Sequence, residues 1–456
     1  MAKAPPIKHQ CRECSALCQG WFGKCPSCHA WGTIEEVTEA PAAAPGRVTL
    51  HTGATPTPMS VADDPEPAPR LQCGIAEVDR VLGGGLVHGS VVLVGGPPGI
   101  GKSTLLLQVG AALARNSGTV LYASGEESVG QISARARRLG SRPDRLLILA
   151  DTHAENIVGT AEKLGDELTC VVVDSVQTIY SVAHDGLPGN ASQIRAVSAQ
   201  LIGFAKSRGI PVVLVGHVTK DGQLAGPRLL EHMVDVVLSF EGDDERATRL
   251  LRATKNRFGS TMELGVFEMT GTGLGEISNP SEAFLAERPP DSPGSCITAS
   301  LEGTRPLLLE VQALLAQSFG SNPRRTCVGV DATRLAMLMA VLHRHGGVFA
   351  LDQDVFVNVA GGMRLFEPAA DLAVLLSVAS SHLRKPLARD CVAIGEVGLT
   401  GEIRQAARLE PRLAEAARLG FARAIIAKTK RKVTAPKGLT LVQVGTVSDA
   451  LDATIT

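Results

Sequence analysis

Residues 96–103 read Gly-Pro-Pro-Gly-Ile-Gly-Lys-Ser and follow directly on the apolar run Ser90-Val91-Val92-Leu93-Val94. The pattern then reopens as the apolar helix signal Leu105, Leu106, Leu107 and Val109, which fixes a strand–turn–helix unit with the sequence of a phosphate-binding P-loop. Glycines let successive backbone N–H groups converge on phosphate oxygens in front of a helix N-terminus. Lys102 is placed to reach the β and γ phosphates and Ser103 to ligate Mg2+. The expected nucleotide-binding residues are Gly96, Pro97, Pro98, Gly99, Ile100, Gly101, Lys102, Ser103 and Thr104.

Further apolar runs at 120–123, 170–173, 212–215 and 236–240 alternate with stretches of helical period such as 104–114 and 192–206. That alternation predicts an α/β fold whose parallel sheet is covered on both faces. With 48 glycines and only 3% aromatic residues, the composition suits Val/Ile/Leu/Ala-rich strands rather than an aromatic-rich sandwich. A chain of 456 residues exceeds one ordinary core. Two composition breaks divide it: 37–70, with seven prolines, reads as a flexible linker, and 278–295 as a shorter one. The modules are then 8–36, 71–277 and 296–456. The last mixes strand signals near 307–311, 355–359 and 392–394 with helix signals near 331–343, 368–380 and 410–419, a second α/β or α+β unit.

A net charge of -1 announces no nucleic-acid partner, so any DNA contact has to come from local basic clusters. No secretory h-region and no run of about 18 apolar residues occurs, which predicts a cytoplasmic protein with no membrane partner. Five of the ten cysteines fall within residues 11–28. Cys11-x2-Cys14 and Cys25-x2-Cys28, ten residues apart, form two knuckles able to close around one tetrahedral Zn2+. Cys18 or His29 could replace a ligand, and a redox Cys-x2-Cys pair is the alternative. So short a segment cannot build its own core, and metal binding would supply most of its folding free energy.

The run Cys170-Val171-Val172-Val173-Asp174 has the form of a Walker B strand ending in a carboxylate for the Mg2+ shell. Between it and the P-loop, the run 120–123 is followed by Ser124-Gly125-Glu126-Glu127-Ser128. Hydrolysis of a γ-phosphate needs a base beside Mg2+ and lysine, and either Glu126 or Glu127 could activate water, Glu126 being favoured.

These motifs, together with Cys73-Gly74-Ile75-Ala76-Glu77-Val78-Asp79 leading to Gly83-Gly84-Gly85, with Gly216-His217-Val218-Thr219-Lys220 and with Lys255-Asn256-Arg257-Phe258-Gly259, resemble the bacterial RadA/Sms DNA repair proteins over nearly the whole chain. The resemblance implies an amino-terminal zinc finger and a RecA-like ATPase core using ATP. It further implies a homo-hexameric ring and ATP-driven movement on single-stranded and branched DNA beside the RecA recombinase. In such a ring Lys255 and Arg257, two apart on an extended segment, would sense the γ-phosphate held by the neighbouring subunit. Arg195, Lys220 and Arg228 lie where related rings line their channel and would contact DNA phosphates.

The carboxy-terminal block resembles the proteolytic domain of Lon proteases, notably at Gly395-Glu396-Val397-Gly398-Leu399-Thr400-Gly401-Glu402 and at the helix opening Glu367-Pro368-Ala369. Ala369 stands where that family has its serine and Glu410 where it has its lysine, so the resemblance implies an inactive scaffold. The basic groups Lys428, Lys430, Arg431, Lys432 and Arg384, Lys385, Arg389 could guide duplex DNA or be plain solvated surface.

Overall fold

The computed structural model describes residues 8–11, 17–18, 23–24, 26, 30–37, 70–217, 229–242, 247–286, 288, 291–318, 322–429 and 433–455. At the amino terminus β1 (Lys8–Cys11) pairs antiparallel with both β2 (Leu17–Cys18) and β3 (Ile34–Val37). A bridge between Lys24 and Trp31, with Gly32 N–H donating to Gly23 O at 2.9 Å, brackets the second cysteine knuckle. The first begins at Cys11, the last residue of β1.

The central sheet contains β4 (Val91–Gly96), β5 (Thr119–Ser124), β6 (Leu146–Ala150), β7 (Leu168–Asp174) and β8 (Val212–His217). It continues with β9 (Val236–Gly242), β10 (Thr248–Asn256), β11 (Leu264–Thr270) and β12 (Gly273–Glu276). Its helices are α1 (Ala76–Leu82), α2 (Lys102–Asn116), α3 (Val129–Arg138), α4 (Ala154–Leu164), α5 (Ala191–Arg208) and α6 (Leu229–Met233). The strand order is β12-β11-β10-β9-β4-β8-β7-β5-β6. From β9 to β6 all neighbours are parallel, and β9 to β12 run antiparallel. The expected parallel sheet is present and is extended at one edge by the antiparallel strands β10 to β12.

Alternation along the strands builds a core on each face. Val92, Val94, Tyr122, Val172 and Val213 pack with Leu105, Leu106, Val109 and Leu113 of α2. Val91, Leu93, Leu121, Val173 and Leu214 pack with Ile157 of α4 and with Val197, Leu201 and Phe204 of α5. Each fully buried aliphatic side chain contributes about 1.5–3 kcal/mol. Double coverage is why these strands read as continuous apolar runs.

The carboxy-terminal lobe begins with α7 (Pro280–Leu285), β13 (Ser295–Glu302), β14 (Arg305–Gln317), β15 (Arg325–Val328), α8 (Ala332–Gly346) and β16 (Gln353–Val359). It closes with α9 (Asp371–Leu383), β17 (Cys391–Ile394), the hairpin β18 (Glu396–Val397) and β19 (Ile403–Arg404), α10 (Leu409–Arg418), β20 (Arg423–Ala427), β21 (Thr440–Val444) and α11 (Val447–Thr454). Its mixed sheet runs β15-β16-β14-β13-β17-β20-β21. Leu250, Leu264 and Val266 of the central sheet belong to the same buried cluster as Leu307 and Leu309. Arg305 clamps the buried Glu77 of α1 at 3.0 and 2.8 Å, which further ties the two lobes. Among the described residues no helix is long and apolar enough to cross a membrane.

Candidate functional site

The P-loop leaves β4 at Gly96, where a Cβ would stand 2.5 Å from the Phe240 carbonyl oxygen. Gly101, at φ 110°, occupies the turn immediately before α2, a left-handed conformation that excludes most other residues. The loop is thus held against β9 and delivers the α2 N-terminus to the surface. Lys102 is buried at the start of α2 and donates to Gly96 O and Pro97 O, both at 2.8 Å. Burial lowers its pKa, against the opposing pull of Asp174 and Glu126. Arg249 reaches across from β10 and donates Nε–H to Ile100 O at 3.2 Å, bracing the loop from below.

Asp174 closes β7, one strand removed from β4, and is buried. It accepts a hydrogen bond from Tyr122 Oη at 2.7 Å and is also hydrogen-bonded to Ser103. Burial raises its carboxyl above the ordinary value; the bonds from Tyr122 and Ser103 pull it back, and Glu126 and Glu127 push it up again. The two residues expected at Mg2+ are therefore adjacent in space. A carboxylate held at a cost in a dry pocket beside a hydroxyl fits a divalent cation.

Glu126 and Glu127 follow β5, and Ser124 Oγ accepts both of their amides at 3.3 and 3.1 Å. Their carboxylates diverge. Glu127 is gripped by Arg135 of α3 through two bonds of 2.7 and 2.5 Å. Glu126 is exposed, accepts from Ser175 Oγ, and acts electrostatically on both Lys102 and Asp174.

Lys255 and Arg257 lie at the end of β10, whose residues 255 and 256 pair with Val237 and Val236 at the beginning of β9. Since Val92 of β4 pairs with Val236 and Gly95 with Ser239, these cations flank the end of the sheet opposite their own P-loop. Lys255 donates to Glu231 O and Val234 O, each at 2.7 Å, and so closes the carboxyl end of α6. Burial and Arg257 lower its pKa. Arg257 is 58% exposed and makes a 3.2 Å ion pair with Asp235. Asp235 also holds Lys206 at 2.7 Å and the Val91 amide at 3.0 Å.

Arg195 is exposed on α5, and the preceding loop also exposes Val182 and Leu187, apolar groups that a search for cations passes over. Lys220 and Arg228 lie outside the described residues, as do Cys14, Cys25, Cys28, Lys430, Arg431 and Lys432. Cys11 closes β1 opposite Ile34. Lys428, Arg384, Lys385 and Arg389 are exposed. In the carboxy-terminal lobe Ala369 is buried in a short 3-10 turn and Glu410 is exposed on α10. Arg412, only 1% exposed, joins these two segments: it pairs with Glu367 at 2.6 and 2.5 Å and donates to Ala407 O at 3.1 Å. Tyr122, Arg135, Ser175, Arg249 and Arg412 were not among the expected site residues.

Residues 55–223 match the family model described as "AAA domain", and residues 9–36 match "Rubredoxin metal binding domain". The chain is 50% identical over 450 residues to the DNA repair protein RadA of Bacillus subtilis, covering 97% of each chain. It is 48% identical over 461 residues to the protein of the same name from Pseudomonas aeruginosa and 47% identical over 457 residues to that of Escherichia coli, covering 99% of each chain in both cases.

Proposed function

The chain belongs to the RadA family of DNA repair proteins, and from that premise we propose that it is an ATP-driven motor that moves on single-stranded and branched DNA and promotes branch migration of recombination intermediates. The observation that carries this reading is the joint placement of Lys102, Ser103, Asp174 and Glu126 at one end of the parallel strands, with Arg257 at the other. Lys102 leaves the loop carbonyls for the β and γ phosphates, Ser103 and Asp174 hold Mg2+, and Glu126 orients and deprotonates the attacking water. Mg2+ held there would supply positive charge against that developing on the phosphoryl oxygens. Arg257, with Lys255 beside it, serves the site of the next subunit in a homo-hexamer.

Cys11, Cys14, Cys25 and Cys28 hold Zn2+ in the amino-terminal ribbon. Cys11 at the end of the paired strand β1 and the match of residues 9–36 to a rubredoxin-type metal-binding domain support this set. Arg195, Lys220 and Arg228 contact DNA phosphates, RecA is the functional partner, the module bounds are those read from the sequence, and the work is cytoplasmic. The carboxy-terminal lobe is a scaffold without peptidase chemistry, since Ala369 carries no nucleophile for a base to activate and Glu410 is not the lysine of that dyad.

The test is ATP turnover and forked-DNA unwinding, with and without single-stranded DNA and RecA, in the native chain and in Lys102→Ala. Turnover stimulated by DNA and coupled to unwinding, both lost in Lys102→Ala, is expected. Turnover indifferent to DNA, with no unwinding, would overturn the motor and leave a nucleotide-switched assembly protein.

A further inference from the structure

The two flanks of the P-loop strand carry different chemistry. Asp174 closes β7 and Glu126 follows β5, both beyond β8 on one side of β4, whereas β9 and β10 lie on the other. A triphosphate seated on the P-loop with its γ end toward Asp174 and Glu126 directs its nucleoside end toward β9 and β10.

A cleft of about 1480 Å³ opens there. That is more than the roughly 300–1,000 Å³ usual for a small-molecule site. One wall is Gly96, Pro97 and the β9 end at Phe240 and Gly242; the facing wall is the carboxy-terminal segment that carries Arg364 and Phe366. Arg364 is exposed and has no hydrogen-bond or ion-pair partner among the described residues. Phe366 is 81% exposed beside the buried Leu365. A free guanidinium and a bare aromatic face, turned toward a phosphate-binding loop, match an anion joined to a flat base. The shared core and the Arg305–Glu77 clamp hold the two walls in place.

We propose that this cleft holds the nucleoside part of ATP, with Phe366 stacking on the base and Arg364 facing the ribose and α-phosphate, an assignment that rests on the P-loop reading above. The carboxy-terminal lobe then forms part of its own chain's nucleotide site.

Affinities of the full-length chain for ATP and for inorganic tripolyphosphate separate the two assignments, because only ATP carries a base. Phe366→Ala is expected to weaken ATP about tenfold or more, the scale of one base–aromatic stack, and to leave tripolyphosphate unchanged. Phe366→Trp should restore ATP affinity, and thermal unfolding of the empty Phe366→Ala chain should match the native one because the ring is exposed. Arg364→Ala should weaken ATP in the same assay. Unchanged ATP affinity in both Phe366→Ala and Arg364→Ala would overturn the proposal, as would an equal loss of ATP and tripolyphosphate in Phe366→Ala. Failure of the P-loop reading is distinct: Lys102→Ala would then bind both probes like the native chain.

Discussion

Glu126 and Glu127 are neighbours in sequence with different work to do. Arg135 neutralises and fixes Glu127, whereas Glu126 faces the Lys102 and Asp174 cluster. If Glu126 is the base, Glu126→Gln should lower kcat by about 10²–10⁴ and leave ATP affinity intact, since it removes a base and nothing that binds. Glu127→Gln should retain most turnover and lose at most about 1 kcal/mol of stability, the scale of a part-exposed ion pair. Steady-state turnover and equilibrium ATP binding measured on both variants decide between them. Asp174 makes a prediction of opposite sign. Its folded pKa is raised by burial, so the folded chain holds a proton that the unfolded chain releases. The stability this provides is full below the ordinary carboxylate range and is lost as pH rises through the raised value. Asp174→Asn removes the buried charge and should therefore raise the melting point of the nucleotide-free protein at neutral pH, by about 0.5–2 kcal/mol in stability. The gain should shrink as the pH falls toward the carboxylate range, and Mg2+-dependent turnover should be lost. Thermal unfolding across pH reads the first effect and an ATPase assay the second.

Between elements, the ion pair from Arg412 of α10 to Glu367 does what no single helix could. It anchors the turn holding Ala369 to β13, because Glu367 also accepts the Leu301 amide at 2.8 Å. Arg412 is buried but Glu367 is 25% exposed, so removing the arginine should cost less than the ~3–5 kcal/mol of a fully buried pair. Arg412→Ala should lower the thermal unfolding of the full chain accordingly, and Arg412→Met with Glu367→Leu should recover part of the loss. The amino-terminal ribbon is the reverse case if it holds zinc, since an element this small then draws its folding free energy from the ion. Elemental analysis should find about one zinc per chain, and a chelator should unfold the ribbon while basal ATP turnover continues; purified protein without zinc refutes the site. What sequence reveals at this scale follows from how each element is buried. Strands β4, β5, β7, β8 and β9 stood out because both faces are covered, whereas β10, with Arg249, Arg252 and Lys255 between its apolar residues, carried no continuous signal. The P-loop and Asp174 were legible because each is a short local motif. Tyr122 and Arg249 were not, because their partners lie 52 and 149 residues away and only the sheet brings them together.

On the scale of the whole molecule, the informative fact is that Arg257 flanks the end of the central sheet opposite its own P-loop. An extended strand advances about 3.3 Å per residue, so the four steps from Val92 to Gly96 already separate the two by more than a side chain spans. Its ion pair to Asp235 does not tie it down, because Lys206 also neutralises that carboxylate and Arg257 remains largely exposed. If Arg257 completes a neighbour's site, the unit of hydrolysis is the junction between two subunits. Mixing two inactive variants tests this directly. In a ring assembled from Glu126→Gln and Arg257→Ala chains, some junctions join an intact glutamate on one chain to an intact arginine on the next. Such rings should recover a fraction of native turnover that rises and falls with the mixing ratio and peaks near equal amounts. A strictly intramolecular arginine gives no recovery at any ratio, because every chain then carries its own defect. A chain that stays monomeric with nucleotide and DNA both present gives none either, and mass measurement by light scattering on the same samples tells these two failures apart.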